Sequence, residues 1–289
     1  MTLNQITLIG VGLIGGSFVL DLKRHRLART IIGIDTNPTN LDRALERRVI
    51  DRASSQIPPA AIQNSDLVLI ATPVASLPVI CQALAPLLSP HTIISDVGST
   101  KQSALAAFAQ HLPQHYPRCV ASHPIAGSDR SGALAAQFGL YQGKKLILCP
   151  HAQQDTASLN TIAQLWQNIG AQVHTMPAAE HDQIFAAVSH FPHLLAFAYV
   201  HQMLDHPQGA HYLNFAGSGF RDFTRIAASH PQMWADIALE NREPLLALID
   251  SQQQELAALR QALAASDGDA LYRRFAAAAA ARRRWEEEE

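Results

Sequence analysis

The chain has 289 residues, of which 48% are hydrophobic and 16% charged, so it is long enough for two domains with a sizeable core. Its 22 basic and 24 acidic residues give a net charge of −2, which argues against a general nucleic-acid-binding protein. Cys81, Cys119 and Cys149 are far apart and indicate neither a disulfide framework nor a thiolate metal site. We therefore expect a cytoplasmic protein without a nucleic-acid partner.

The start of the sequence does not resemble a targeting segment. Residues 1–7 lack the basic region of a signal peptide and lead directly into a strand pattern. No apolar run reaches the roughly 20 residues that span a bilayer, so we expect no membrane partner.

The first predicted elements surround a glycine-rich turn. Residues 6–9 form a short apolar strand, and a helical pattern begins at Phe18. The intervening GxGxxG motif predicts a tight turn at Gly10, close approach of a pyrophosphate at Gly12 and helix–strand packing at Gly15. The helix N-terminus then favours the phosphates of a dinucleotide. The residues expected to contact the cofactor here are Gly10, Gly12, Leu13, Ile14 and Gly15.

An acidic residue follows the second predicted strand, residues 30–34. Asp35 lies twenty positions after Gly15, where a carboxylate accepts hydrogen bonds from ribose hydroxyls. A carboxylate repels a 2′-phosphate, and residues 36–38 contain no arginine that would bind one. The sequence therefore favours NAD over NADP.

Further strands alternate with helical patterns, which predicts a parallel sheet with crossover helices. Ligands of such sheets bind beyond the carboxyl ends of the strands, where Thr72, Pro73, Ser99 and His123 are expected. The predicted strands after the second are residues 66–71, 93–96, 119–122, 145–149 and 172–176.

His123 is the candidate proton acceptor at this edge. Pro124 disfavours the helical region for the residue before it, so His123 belongs to a strand end or a turn. Histidine has the side-chain pKa nearest neutrality and suits proton transfer. In a dinucleotide-binding domain, a base at this place faces the substrate.

The strand signals stop after residue 177, and the rest of the chain is predicted to be helical. We expect helices over residues 178–205, broken near Phe191 and Pro192, and over residues 234–265. The predicted domains are therefore residues 1–177, an α/β Rossmann-type dinucleotide-binding domain, and residues 178–289, an all-α domain. Because a helical region rich in Leu and Ala needs a packing partner, we expect a homodimer.

The helical region contains a cluster of charged residues. In one helix, Arg221 and Arg225 lie four positions apart on one face, and Asp222 lies between them. Arginine side chains bind carboxylates through two parallel hydrogen bonds, which favours an anionic substrate. A surface ion-pair ladder is the alternative, and the chemistry alone weighs the two evenly.

The fourteen histidines do not form a recognisable metal site. His190 and His193 lie three positions apart, and His111 and His115 lie four apart. Neither pair has the HExxH pattern or a third ligand at a sequence spacing typical of metal sites, so we expect no metal.

Five motifs in order resemble the prephenate/arogenate (cyclohexadienyl) dehydrogenase family of tyrosine biosynthesis, over nearly the whole chain. The glycine motif alone is shared by many dehydrogenases, whereas the last three motifs are specific. The Met233-Trp234 pair also matches. The motifs are residues 10–17 (GVGLIGGS), 96–101 (DVGSTK), 123–127 (HPIAG), 189–193 (SHFPH) and 219–225 (GFRDFTR).

The resemblance implies oxidative decarboxylation of prephenate by NAD⁺ to give 4-hydroxyphenylpyruvate, CO₂ and NADH. It implies that His123 is the base that takes the hydroxyl proton, and that Ser99 hydrogen-bonds near it. It implies that Arg225 binds a substrate carboxylate and that His193 is a second substrate contact. The positions that line or gate the site are then Arg221, Asp222, His181, Asp129 and Trp234.

Two alternatives stay open at the level of sequence. Prephenate and arogenate differ only in a side-chain keto or amino group, so the first alternative is an enzyme that acts on arogenate or on both compounds. A non-catalytic dinucleotide-binding protein is the more distant alternative, but it has no need of His123, His193 and Arg225 together.

Overall fold

The computed structural model describes residues 2–127 and 130–288. Residues 1–242 form one compact unit, and residues 243–289 form a second. Helix α12 (Arg242–Ala264) begins at the last residue of the first unit. The second unit consists of the remainder of α12 and of α13 (Gly268–Glu288). Within the second unit, Arg274 Nη1 donates to both carboxylate oxygens of Glu255, each at 2.7 Å.

The first unit is built on one sheet, which has eight strands within the described residues. They are β1 (Leu3–Ile9), β2 (Ala28–Ile34), β3 (Arg52–Ser54), β4 (Leu67–Ile70), β5 (Ile93–Asp96), β6 (Cys119–Pro124), β7 (Lys145–Cys149) and β8 (Gln172–Thr175). Their order is β3-β2-β1-β4-β5-β6-β7-β8, and the first six run parallel. This is the order of a dinucleotide-binding sheet, whose direction of winding reverses between β1 and β4.

Helices on both faces cover the strands, whose nearly continuous apolar runs are buried on both sides. Local signals start some of them: the Asn37 side chain caps α2 and Asp155 caps α6. These helices are α1 (Leu13–Arg24), α2 (Pro38–Glu46), α3 (Pro59–Gln63), α4 (Leu77–Leu84), α5 (Gln102–His111) and α6 (Thr156–Asn168).

The prediction of an all-parallel sheet is wrong at β7, which runs antiparallel to β6 and pairs His123 with Ile147. The described part of the connection between them, residues 125–127 and 130–144, contains a short 3₁₀ helix and no α-helix. Two parallel strands need a crossover connection, usually a helix, whereas strands joined without a crossover run antiparallel. Strand β3 was also not predicted, because three residues without an apolar alternation give no strand signal.

The helical part of the first unit contains α7 (Ala178–Phe185), a π-helical turn (Ala186–His190), α8 (Phe191–Asp205), α9 (Gly209–Leu213), α10 (Ser218–Thr224) and α11 (Pro231–Glu240). The break predicted near Phe191 and Pro192 is this π-helical turn, which ends where Pro192 enters the first turn of α8. The helix predicted over residues 234–265 is divided at Asn241, whose side chain hydrogen-bonds to the α7 region instead.

Among the described residues, the helical segment Ala178–Asp205 is long and apolar enough to cross a membrane by length and composition alone. The sequence prediction did not anticipate this. Core helices of soluble proteins meet the same criteria, and this segment carries buried polar side chains at His181, Asp182 and His190.

Candidate active site

The glycine-rich turn between β1 and α1 is tightly packed at two positions and open at the third. Gly10 has a φ of +89°, and a Cβ atom there would lie 2.5 Å from the backbone oxygen of Ala71. A Cβ atom on Gly15 would lie 2.6 Å from Leu8 Cδ1, whereas one on Gly12 would meet nothing within 4 Å. Gly12 therefore leaves room for a ligand to approach the backbone, as a pyrophosphate requires.

The first turn of α1 presents backbone N–H groups to that space. The helix begins at Leu13 with no acidic residue in its first turn and no side-chain cap from the described residues. Leu13 is buried, and the backbone oxygen of Ile14 accepts a 2.5 Å hydrogen bond from the Tyr141 hydroxyl. A fixed helix N-terminus without a competing anion suits a phosphate group.

The Asp35 carboxylate is held beside the glycine turn. Its Oδ2 accepts hydrogen bonds from the Val11 backbone N–H at 3.1 Å and from Asn40 Nδ2 at 2.9 Å. Its Oδ1 accepts from the Asn37 backbone N–H at 2.9 Å. The carboxylate is thus oriented where the sequence predicts the ribose hydroxyls.

Thr72 and Pro73 follow β4 across the reversal point of the sheet. Ser76 Oγ lies 2.7 Å from both Thr72 Oγ1 and the Pro73 backbone oxygen, and these contacts close the turn on itself. Helix α11 packs against the 3₁₀ helix Val74–Ser76 that follows. The glycine turn, Asp35 and this turn together fit a dinucleotide.

A buried ion pair joins the carboxyl ends of β5 and β6. Lys101 is fully buried, its Nζ contacts Asp96 Oδ2, and it donates to the Ser122 backbone oxygen at 2.7 Å. Ser99 lies in the segment between the two ion-pair partners and is partly buried. The pair therefore holds the Ser99 segment beside the strand that carries His123.

A chain of hydrogen bonds runs from His123 into α7. His123 Nδ1 lies 2.9 Å from His181 Nε2, and His181 Nδ1 lies 2.8 Å from Asp182 Oδ1. The Asp182 carboxylate also accepts from the backbone N–H groups of Lys101 at 2.8 Å and Gln102 at 2.9 Å, at the N-terminus of α5. His181 and Asp182 are buried, whereas His123 is partly exposed.

The charges of this chain follow from its burial. Burial lowers the pKa of His123 well below its ordinary value, and the nearby His181, Lys101 and His190 lower it further. Burial also lowers the pKa of His181 in spite of its hydrogen bond to Asp182. Burial raises the pKa of Asp182, but its hydrogen bonds from His181 and two backbone N–H groups outweigh this and lower it overall. Near neutral pH both histidines are uncharged and Asp182 is ionised.

A second cluster lies on the π-helical turn and α8. Asn241 Nδ2 lies 3.0 Å from His190 Nδ1, and the rings of His193 and Trp234 stack with centroids 3.5 Å apart. Within residues 2–127 and 130–288, His190 Nε2 and Trp234 Nε1 are buried without a hydrogen-bond partner. Burial lowers the pKa of His193, and the positive charge of Arg225 lowers it further.

The arginine cluster is exposed. Arg221 lies in α10, which ends at Thr224, and Arg225 begins a 3₁₀ helix, so the prediction of one helix across both arginines is wrong. Arg221, Asp222 and Arg225 are all exposed, and the 3₁₀ helix that begins at Arg225 packs against α8, which carries His193. The predicted site residue Asp129 lies outside the described residues.

Three residues at the centre of the site were not predicted from the sequence: Asp182, Lys101 and Asn241. Asp182 and Lys101 lie in segments that the sequence singled out, but their partners are distant in the chain. Asn241 gave no signal, because it lies inside what reads as one continuous helix.

The described residues show no group of three or more His, Cys, Asp or Glu side chains placed to hold a metal ion. The three cysteines are buried and free. Burial raises the pKa of Cys81 and of Cys149 to about 12, so their thiols are protonated at neutral pH and unreactive.

A dinucleotide-binding sheet with a histidine at its carboxyl edge is the arrangement expected of a nucleotide-dependent dehydrogenase. Two family models cover most of the chain: residues 18–175 match the nucleotide-binding domain of prephenate dehydrogenase, and residues 177–277 match its dimerization domain. The chain therefore belongs to the prephenate dehydrogenase family of oxidoreductases.

Two curated relatives agree with this assignment. The prephenate dehydrogenase of Bacillus subtilis is 38% identical over 276 residues, which are 94% of this chain and 73% of the relative. The cyclohexadienyl dehydrogenase of Zymomonas mobilis is 34% identical over 274 residues, which are 94% of this chain and 92% of the relative.

Solved structures agree as well. Prephenate dehydrogenase from A. aeolicus, in complex with hydroxyphenyl propionate and NAD⁺, is 32% identical and superposes with a TM-score of 0.90 over 98% of this chain and 99% of that one. Synechocystis arogenate dehydrogenase is 26% identical, with a TM-score of 0.80 over 97% of this chain and 99% of that one.

Proposed function

We propose that this protein is a prephenate dehydrogenase, which converts prephenate to 4-hydroxyphenylpyruvate and CO₂ in tyrosine biosynthesis. The observation that carries the proposal is the uncharged His123 at the carboxyl end of β6, next to a cradle that fits a dinucleotide. When bound, NAD⁺ supplies the hydride acceptor. Asp35, Gly12 and the α1 N-terminus hold it, and the Asp35 carboxylate favours NAD over NADP.

His123 acts as the base toward the substrate hydroxyl. As hydride leaves the ring carbon that bears this hydroxyl, positive charge develops on the oxygen, and a neutral imidazole accepts its proton. The electrons of the bond to the ring carboxylate enter the ring as CO₂ leaves. The proton then returns from His123 to the phenolic oxygen of the product, so the reaction releases no net proton. Ser99 orients the hydroxyl from the neighbouring strand end.

The substrate carboxylates bind to groups from the helical part of the first unit. Arg225 supplies a guanidinium fork for one carboxylate, and His193 is a second contact. Trp234 is held against His193 by ring stacking, with the two centroids 3.5 Å apart, and so supports His193 beside the substrate. The exposed Arg221 and Asp222 flank Arg225, and the buried His181 contacts His123.

Arogenate is the second candidate substrate. A 34%-identical relative is a cyclohexadienyl dehydrogenase, and a solved structure of this fold is an arogenate dehydrogenase. The arginines address carboxylates, which prephenate and arogenate share, so the groups named above accept either side chain.

We further propose a cytoplasmic homodimer with a functional boundary at residue 177. A family model for a dimerization domain begins at residue 177 and supports the dimer and the boundary. Large apolar side chains on the helices are exposed in the single chain, among them Val188 at 67% and Leu204 at 69%, and a second copy would cover them.

The direct test is the formation of NADH, measured at 340 nm, with purified protein, NAD⁺ and either prephenate or arogenate. We expect turnover with prephenate, and lower or no turnover when NADP⁺ replaces NAD⁺. Folded protein that binds NAD⁺ but forms no NADH with either substrate would refute the enzymatic proposal. Better turnover with NADP⁺ would refute the role given to Asp35.

A further inference from the structure

We propose that His181 and Asp182 are positioning residues that fix the tautomer of His123, so that its Nε2 carries the lone pair and faces the substrate. The proposal rests on the proposed function for the identity of the base. It assigns roles to two residues whose side chains lie behind His123, and it specifies which ring nitrogen reacts.

The assignment begins at Asp182, which can only accept hydrogen bonds when ionised. Its carboxylate receives the backbone N–H groups of Lys101 and Gln102 and lies 2.8 Å from His181 Nδ1. An acceptor at this distance requires that His181 Nδ1 carries the hydrogen. Asp182 itself is anchored from a second side, because Asn241 Nδ2 donates to its backbone oxygen at 2.8 Å.

The proton positions then follow along the chain. His181 is fully buried and uncharged, so a hydrogen on Nδ1 leaves a lone pair on its Nε2. His123 Nδ1 lies 2.9 Å from that lone pair and must donate to it. With its hydrogen on Nδ1, a neutral His123 has its own lone pair on Nε2. This is the state that accepts a proton from a hydroxyl group.

The surroundings favour this arrangement over a charged one. The positive charge of Lys101, which is buried beside the chain, disfavours a positive charge on His123. The buried Asp182 carboxylate faces His181, so it stabilises the positive charge that the two imidazoles share while His123 holds the substrate proton. The positions of the hydrogens along His123, His181 and Asp182 are therefore fixed before substrate binds.

The experiment is ¹⁵N NMR of the full-length protein with labelled histidine at pH 7.5, with the His123 ring signals assigned by their loss in His123→Asn. We expect an unprotonated Nε2 and a protonated Nδ1. In His181→Leu the hydrogen bond to Nδ1 is gone, and we expect Nε2 to become largely protonated. We expect kcat to fall about 10- to 100-fold, less than the ~10²- to 10⁴-fold contribution of the base itself because His123 remains, with unchanged binding of NAD⁺.

Two further variants separate orientation from packing. In His181→Gln the amide oxygen takes the place of the lost Nε2 as the acceptor for His123 Nδ1–H, because the Asp182 carboxylate attracts the NH₂ group to its own side. We expect most of the activity and the original His123 tautomer to return. His151→Leu is the control: it removes a histidine at the other end of β6, where His151 Nε2 lies 3.3 Å from the Cys119 backbone oxygen. We expect it to leave kcat and the His123 tautomer unchanged.

A protonated Nε2 on His123 in the unmodified protein overturns the proposal, whether or not the His181 variants fold. So does a His181→Leu protein with the original tautomer and kcat. The spectrum does not depend on turnover, so a protein that forms no NADH but shows the expected tautomer contradicts only the proposed function. Active protein with the opposite tautomer contradicts only the roles of His181 and Asp182.

Discussion

The histidine chain and the arginine cluster differ in how far their polar groups are satisfied without a ligand. His181 and Asp182 are 0% and 1% exposed, and the Asp182 carboxylate accepts from three N–H donors of the protein. Arg221, Asp222 and Arg225 are exposed, with their charges in solvent. The first region is organised in advance, whereas the second has binding capacity left for a ligand.

This difference separates two kinds of contribution to an enzyme. Groups that are fixed before binding act on the chemical step, because they need no reorganisation when charge develops in the transition state. Exposed cationic side chains act mainly on affinity, because they exchange water for the ligand carboxylate. Substitutions in the two regions should therefore change different kinetic constants.

The largest effect is expected for His123→Asn. The asparagine amide occupies the place of Nδ1 and keeps the contact with His181, but no group remains at Nε2. We expect kcat for prephenate to fall about 10²- to 10⁴-fold, the usual contribution of a positioned base, with little change in NAD⁺ affinity. Steady-state kinetics and a binding titration measure the two quantities.

The matched control is His174→Asn on β8, an exposed histidine outside the site. It should behave as the unmodified protein. Turnover of His123→Asn within about threefold of the unmodified protein would remove His123 from the role of base, since even a weak base contributes more than that.

The two regions also differ in how visible they are in the sequence. The glycine turn, Asp35 and the strand ends at Ser99 and His123 are local features, set by a few neighbouring residues, and they were predicted with the fold class. The bonds that organise the site are not local. Asp182 contacts Lys101 across 81 positions, and Asn241 reaches back 59 positions to Asp182. No spacing or periodicity predicts such pairs.

The error in the sheet has the same origin. The strand β7 was predicted correctly, but its direction depends on how the preceding connection packs. Arg47 donates to the backbone oxygens of Ala133 and Ala136 at 2.7 and 3.0 Å, and the Tyr141 hydroxyl donates to Ile14. These contacts hold the connection on α1 and α2, and they involve residues about a hundred positions apart.

A stability measurement tests whether the fold keeps the buried His190 uncharged. Burial lowers the pKa of His190 to about 4, against an ordinary value of 6.5. As the pH falls, His190 therefore gains a proton in the unfolded chain at a higher pH than in the folded protein, and the folded protein loses stability between pH 6.5 and 4. At pH 4.5 the loss from His190 amounts to roughly 2–3 kcal/mol relative to pH 7.5.

In His190→Asn the asparagine oxygen replaces the Nδ1 acceptor of Asn241 but does not titrate. Urea unfolding at both pH values, at equal protein concentration, should show that the variant loses roughly 2–3 kcal/mol less than the unmodified protein. The histidines far from His190 titrate in both proteins and cancel in this difference, so the difference reports on His190 and the neighbours coupled to it. Equal losses in the two proteins would mean that His190 is not kept neutral by the fold.

The smallest effect, and the one that tests the exposed side of the comparison, is expected for Arg225→Ala. A hydrogen-bonded charge contributes about 1.5–3 kcal/mol, so KM for prephenate should rise about 10- to 100-fold while kcat changes little. Arg225→Lys keeps the charge but loses the two parallel hydrogen bonds, so its KM should lie between that of the unmodified protein and that of Arg225→Ala.

The control for the arginine variants is Arg29→Ala, which removes an exposed arginine from β2, away from the carboxyl ends of the strands. Its KM should stay unchanged, since a distant surface charge acts only through a screened field. If Arg225→Ala instead lowers kcat as much as kcat/KM, its charge is used in the transition state rather than in binding. The arginine cluster would then be part of the organised region, and the division between the two regions would fail.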